Sequence, residues 1–110
     1  RQEEATDYIF VRSDRQMHKV FFKDILVVEG LENYVCIYTE SAKLLVRSTM
    51  KRMAEALPKA VFLQVHKSYL INLEKIDMID GNQIVVGKQT IPVARNFREE
   101  VFARILKNTL

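Results

Sequence analysis

The chain has 110 residues, is 48% hydrophobic and 28% charged, and carries a net charge of +3; this is enough for one domain core and leaves no room for a second. Three glycines and two prolines exclude long low-complexity linkers, and no stretch approaches the roughly 20 consecutive apolar residues of a membrane span or the pattern of a signal peptide. The single cysteine, Cys36, excludes an internal disulfide and fits a reducing, cytoplasmic compartment.

There is no initiator Met, and Arg1-Gln2-Glu3-Glu4-Ala5-Thr6 is polar and patternless. Residues 1–7 therefore read as a linker remnant, with a cloning scar as the alternative, and 8–110 as the domain. Tyr8 to Arg12 is aromatic and β-branched, which predicts a strand; after a turn over Ser13-Asp14-Arg15-Gln16, Met17 to Phe22 returns as a second. Ile25 to Glu29 is an apolar run too short for a helix and predicts a buried strand, broken by Gly30-Leu31-Glu32-Asn33. Tyr34 to Thr39 and Lys43 to Arg47 form the next pair. Ser48 is placed to cap a short helix over 49–57, whose Met50, Met53, Ala54 and Leu57 share one face; Pro58 ends it.

Phe62 to Val65 predicts a strand, and His66-Lys67-Ser68 interrupts it. Tyr69 to Leu73 is open between strand and helical turn. Ile76 to Ile79 and Gln83 to Val86 flank Asp80-Gly81-Asn82, a hairpin signal. Lys88 to Val93 follows, with Pro92 marking an edge or a strand end. Asn96, with Glu99 three residues on, suggests a capping box for a last helix that buries Phe97, Val101 and Ile105. Eight to ten strands and two short helices imply a mainly-β or α+β domain. Phe10, Phe21, Ile25, Val27, Val35, Ile37, Phe62, Val65, Leu70 and Phe97 are the expected core.

Catalytic patterns are absent from the sequence. His18 and His66 lie far apart and Cys36 stands alone, so no metal-ligand spacing exists. Cys36 sits between Val35 and Ile37, where a buried structural thiol is expected rather than a nucleophile. The three glycines form no phosphate loop. These patterns favour a binding module without enzymatic activity or cofactor. Charge is unevenly distributed: Ser41 to Lys75 holds seven basic residues against Glu55 and Glu74, a net +5, leaving −2 elsewhere. A basic segment on a near-neutral domain suits a phosphate-facing surface; a solvated basic face is the alternative. Three polar interruptions of apolar strands, at 29–33, at 66–68 and at Arg95-Asn96, place hydrogen-bonding side chains on loops held by rigid strands. Arg, Lys and Asn are also the residues that suit base edges.

Four stretches resemble the LytTR-type DNA-binding domain of bacterial two-component response regulators. These are Ile25-Leu26-Val27-Val28-Glu29-Gly30 running into Glu32-Asn33-Tyr34-Val35; Arg47-Ser48-Thr49-Met50; Phe62 through Leu73, with Val65-His66-Lys67-Ser68-Tyr69 and Asn72; and Ile91-Pro92-Val93-Ala94-Arg95. They occur in family order and span about residues 8 to 107. The resemblance implies an elongated stack of small antiparallel β-sheets with two or three short helices. It also implies binding to double-stranded promoter DNA at paired direct repeats, as a possible dimer on DNA, with loops entering successive major grooves. An upstream receiver domain, absent from this chain, would control it.

Carried over by position, the resemblance makes Asn33 (or its neighbour Glu32), Lys67 and Arg95 base-contacting, with Arg95 reading guanine. His66 and Ser68 would position Lys67 or contact phosphate, Asn96 would likewise serve phosphate contact or positioning, and Arg47, Ser48, Lys51 and Arg52 would hold phosphate. The chain departs from the pattern at Ala94, where a Ser is common, and at Glu32, whose carboxylate disfavours phosphate unless it accepts from a cytosine amino group. A β-rich interaction or sensory module that does not touch DNA is the competing reading; it expects an exposed apolar patch instead.

Overall fold

Aromatic and β-branched residues at alternating positions pair the start of the chain into a hairpin, β1 (Tyr8–Ser13) with β2 (Gln16–Phe21). In the computed structural model, which describes residues 6–110, its two-residue turn puts both Asp14 (φ 54°) and Arg15 (φ 67°) in the left-handed region, as a hairpin turn matched to strand twist requires. Most of the expected linker remnant, residues 1–5, lies outside the described residues. Asp7 already belongs to the fold, because its carbonyl accepts from the Phe22 backbone N–H at 3.0 Å.

The centre is a five-stranded antiparallel sheet built from β3 (Ile25–Gly30), β4 (Val35–Thr39), β5 (Lys43–Val46), β6 (Phe62–His66) and β7 (Tyr69–Asn72). Its order is β5-β4-β3-β7-β6. A third, three-stranded sheet runs in the order β10-β9-β8, with β8 (Ile76–Asp80), β9 (Gln83–Val86) and β10 (Gln89–Pro92). Gly81 turns β8 into β9 at φ 63°. Pro92, which has no N–H for a ladder, sits on the edge strand β10, as expected. The mainly-β expectation of small antiparallel sheets with short helices is what the structure contains, in a slab of 43 × 42 × 24 Å.

The central sheet is apolar on both faces, so it supports two cores. One packs Val28, Val35, Ile37 and Leu70 against the β1–β2 hairpin and helix α1 (Met50–Ala56). The other packs Val27, Leu63, Val65 and Ile71 against the β8–β10 sheet and helix α2 (Arg98–Ile105). One apolar run serves both because successive side chains point to opposite faces, and a bulge between Ile25 and Val27 shifts which residue faces which core. The extra residue breaks the alternation, so Ile25 and Val28 face the first core while Leu26 and Val27 face the second.

Several sequence expectations need correction. The cap of α1 is Thr49, not Ser48: Thr49 has extended backbone (φ −125°, ψ 161°) and its hydroxyl accepts from the Arg52 N–H at 3.1 Å. That bond reaches three residues ahead and contributes ~1 kcal/mol; Ser48 sits one residue too early to make it. Asn96 caps nothing. It lies inside a 3-10 turn, Arg95–Phe97, closed by Phe97 N–H to Ala94 carbonyl at 2.9 Å, and α2 begins after it without a side-chain cap. Phe10 is 52% exposed rather than core, because a two-stranded hairpin with one layer against it cannot cover every apolar position. Phe21 and Phe97 are half-buried. The ambiguous Tyr69 to Leu73 run divides into strand β7 and a 3-10 turn over Leu73–Lys75.

Candidate nucleic-acid interface

Strand pairing decides where the polar interruptions meet. In the β3–β4 pair Gly30 faces Val35, so the 31–34 loop caps that end of the sheet. In the β4–β5 pair Val35 faces Val46, so Arg47 and Ser48 leave β5 at the same end and lead into α1. In the β3–β7 pair Glu29 faces Tyr69, so the His66–Tyr69 turn is there too. The segment after β10 joins them through the Ala94 N–H, which donates to the Val65 carbonyl at 3.0 Å at the close of β6. Asn33, Arg47, Ser48, Lys51, Arg52, His66, Lys67, Ser68, Arg95 and Asn96 thus all belong to segments gathered at one end of the central sheet.

Backbone hydrogen bonds fix these segments to one another. The Gly30 N–H donates to the Ser68 carbonyl at 2.8 Å, and the Leu31 N–H donates to the Tyr34 carbonyl at 2.7 Å. Met50 packs against Gly30 so closely that an added Cβ would lie 2.6 Å from its Cγ, which ties α1 to the first loop. The Arg47 guanidinium lies 6.0 Å from the centre of the Tyr34 ring, within cation–π range.

The turn carrying Lys67 is held from both sides. His66 Nδ1 accepts from the Ser68 N–H at 3.0 Å, which requires that nitrogen to be unprotonated. Gln64 Nε2 donates to the His66 carbonyl at 3.2 Å. The His66 ring meets Tyr69 edge to face at 5.5 Å, and the Tyr69 hydroxyl donates to Glu29 Oε2 at 3.4 Å, a long bond. The Tyr38 hydroxyl donates to Glu29 Oε1 at 2.8 Å. The Glu29 carboxylate is thus occupied by two phenols. The hydrogen bond to Glu29, reinforced by burial, pushes the Tyr38 pKa well above the ordinary tyrosine range. Burial, then the Glu29 charge, raises that of Tyr69.

Asn33, Arg47, Lys51, Arg52, Lys67, Arg95 and Asn96 are exposed, while Ser48, His66 and Ser68 are half-buried. Among the described residues the one ion pair joins Lys75 to Glu40 at 3.2 Å, so Arg95 does not pair with Glu99 and these cations keep their donors available. Glu32 is exposed in the first loop. The described residues hold no cluster of potential metal ligands, and no helix among them is long and apolar enough to cross a membrane. Cys36 is buried, as expected.

Sequence reasoning missed three supporting residues. Glu29 was visible only as the start of the 29–33 interruption, with no role assigned, and Gln64 only as part of the Phe62 to Val65 strand. Asn72, fully buried, donates to the Ile25 carbonyl at 2.9 Å and accepts from the Glu74 N–H at 2.9 Å. Its signal was available: an Asn between Ile71 and Leu73 is a polar group in an apolar run, and such groups are buried only when satisfied.

The family model of the LytTr DNA-binding domain matches residues 15–106. Among solved structures, the fold resembles that of a LytTr DNA-binding domain from Bacillus cereus, with a TM-score of 0.79 and 14% sequence identity, covering 92% of this chain and 98% of that one. With the match running from the hairpin turn to the end of α2, the chain belongs to the LytTr DNA-binding domain family.

Proposed function

We propose that this domain binds double-stranded promoter DNA sequence-specifically, as the output module of a response regulator, with loops rather than a helix entering the major groove. The observation that carries the reading is the gathering of four loop segments at one end of a rigid sheet, with exposed, unpaired basic side chains on three of them. In this reading Arg95, Lys67 and Asn33 contact base edges, where Arg and Lys suit guanine acceptors and Asn suits adenine. Arg47, Ser48, Lys51 and Arg52 contact phosphate and set the register. His66, Ser68 and Asn96 position their neighbours. Two copies on paired direct repeats, under an upstream receiver domain, complete the proposal. The domain acts in the cytoplasm and needs no cofactor.

The test is titration of the domain into a duplex enriched from a random-sequence pool, with a shuffled duplex as control, at several salt concentrations. Tighter binding to the enriched duplex is expected, with affinity falling steeply with salt. Arg95→Ala should cost about 1–3 kcal/mol and relax preference at one base position, whereas Lys51→Ala should weaken both duplexes equally and lower the salt slope by about one. Failure to enrich any duplex at low salt would sink the DNA reading and turn attention to the exposed aromatic face of the β1–β2 hairpin as a protein-binding surface.

A further inference from the structure

Beside the loop end, and continuous with it, lies a groove of about 760 Å³ between the β1–β2 hairpin, β5 and α1. Four arginines are among the residues that line it, Arg12 and Arg15 of the hairpin, Arg47 after β5 and Arg52 of α1. All four residues are exposed, and none is in the ion pair formed among the described residues, although Asp14 and Glu55 also reach the groove. Four cations against two carboxylates leave an unneutralised positive field in a concave site, where low-dielectric walls strengthen it. Its apolar surface is unusual for a basic groove: Phe10, Leu45 and Tyr34 line it and are 52%, 49% and 37% exposed.

We propose that this groove seats the sugar–phosphate backbone of DNA flanking the site read by the loops, so that the N-terminal hairpin is part of the DNA interface through Arg12 and Arg15. The inference rests on the DNA-binding reading above. Guanidinium forks match phosphate oxygens, and the exposed Leu45 and Phe10 suit the apolar faces of deoxyribose. Continuity favours DNA over an acidic peptide. Tyr34, Arg47, Ser48 and Arg52 belong both to the groove and to the loop end, so a duplex docked on the loops runs past the groove mouth. The left-handed backbone of Arg15 (φ 67°), held in the hairpin turn, carries its side chain from a rigid corner.

The experiment compares the parent with Arg12→Ala/Arg15→Asn, asparagine being chosen because it tolerates the left-handed conformation. Both are titrated into the enriched and shuffled duplexes across a salt series. Each lost phosphate contact lowers the log–log salt slope by about 0.9, so a drop of about two is expected. Affinity at 0.1 M salt should fall on the order of ten- to a hundredfold, by the same factor for both duplexes and with base preference unchanged. Arg12→Lys/Arg15→Lys should recover most of the slope, which a folding defect would not allow. Trimming the duplex one base pair at a time should reveal one end whose loss weakens the parent and leaves the Ala/Asn variant unaffected. If that variant matches the parent on every duplex while Arg95→Ala still loses base preference, the groove proposal is overturned and the DNA reading stands. If the parent enriches no duplex, both fall.

Discussion

Glu29 organises a polar network at the loop end of the central sheet. Its two carboxylate oxygens accept from Tyr38 and Tyr69, and the second of these phenols meets edge to face the histidine that holds the Lys67 turn. The arrangement depends on Tyr38 staying protonated. Its folded-state pKa is raised above the ordinary value, chiefly by that hydrogen bond. A raised pKa means the stabilisation is complete below the unfolded value of about 10 and is lost as pH rises through the folded value. The urea midpoint of the parent should therefore exceed that of Tyr38→Phe by a constant margin between about pH 6 and pH 9, and the margin should shrink above about pH 10. A margin that already shrinks below pH 9 would show that some other group controls it. The sequence does not display this network, because its members lie 9 and 40 residues from Glu29 and meet only through the β4-β3-β7 pairing. By contrast, Asn33, Lys67 and Arg95 were each visible as polar residues interrupting apolar strands. Arg12 and Arg15 were not, since they fall in the part of the chain whose net charge is negative.

At the scale of elements, the contact between Gly30 and Met50 couples the first loop to α1. Gly30 is not in the left-handed region, so its need is for space: an added Cβ would meet Met50 Cγ at 2.6 Å and Sδ at 3.2 Å. Methionine is flexible enough to move aside, so Gly30→Ala should destabilise by about 1–2 kcal/mol rather than abolish folding. In a Met50→Ala background the same substitution should cost less, the two sites being in contact. Urea unfolding of the four proteins of this cycle measures the coupling, and equal costs in both backgrounds would refute the close packing. Most strands were legible because their apolar and polar residues alternate or run together at strand length. The boundaries that failed did so for local reasons. Ser48 and Thr49 are both cap formers, and only backbone geometry chooses between them. Asn96 was drawn to a cap by Glu99, while the chain spends that position on a tight turn. The bulge at Ile25 to Val27 is invisible in an unbroken apolar run, yet it sets which residues of β3 face each core.

For the whole molecule, the consequence of those two faces is cooperativity. On β3, Val28 faces the hairpin and α1 while Val27 faces the β8–β10 sheet and α2; on β7, Leu70 and Ile71 divide in the same way. All four are at most 2% exposed. Burying such a side chain contributes about 1.5–3 kcal/mol, so uncovering four or five on one face costs as much as the ~5–15 kcal/mol that holds a small domain together. Neither outer layer can therefore detach while the sheet survives, and unfolding should be a single transition. Cys36 provides a native reporter: it is the only cysteine, lies on β4 and is 7% exposed. Its reactivity toward a thiol reagent, the far-ultraviolet dichroism and the tyrosine fluorescence should share one urea midpoint. Thiol reactivity appearing at lower urea than the loss of dichroism would mean that the layers separate first. The loop end could not then be rigid, because the Arg95 segment is mounted on one layer, α1 with its basic residues on the other, and the Lys67 turn on the sheet between them.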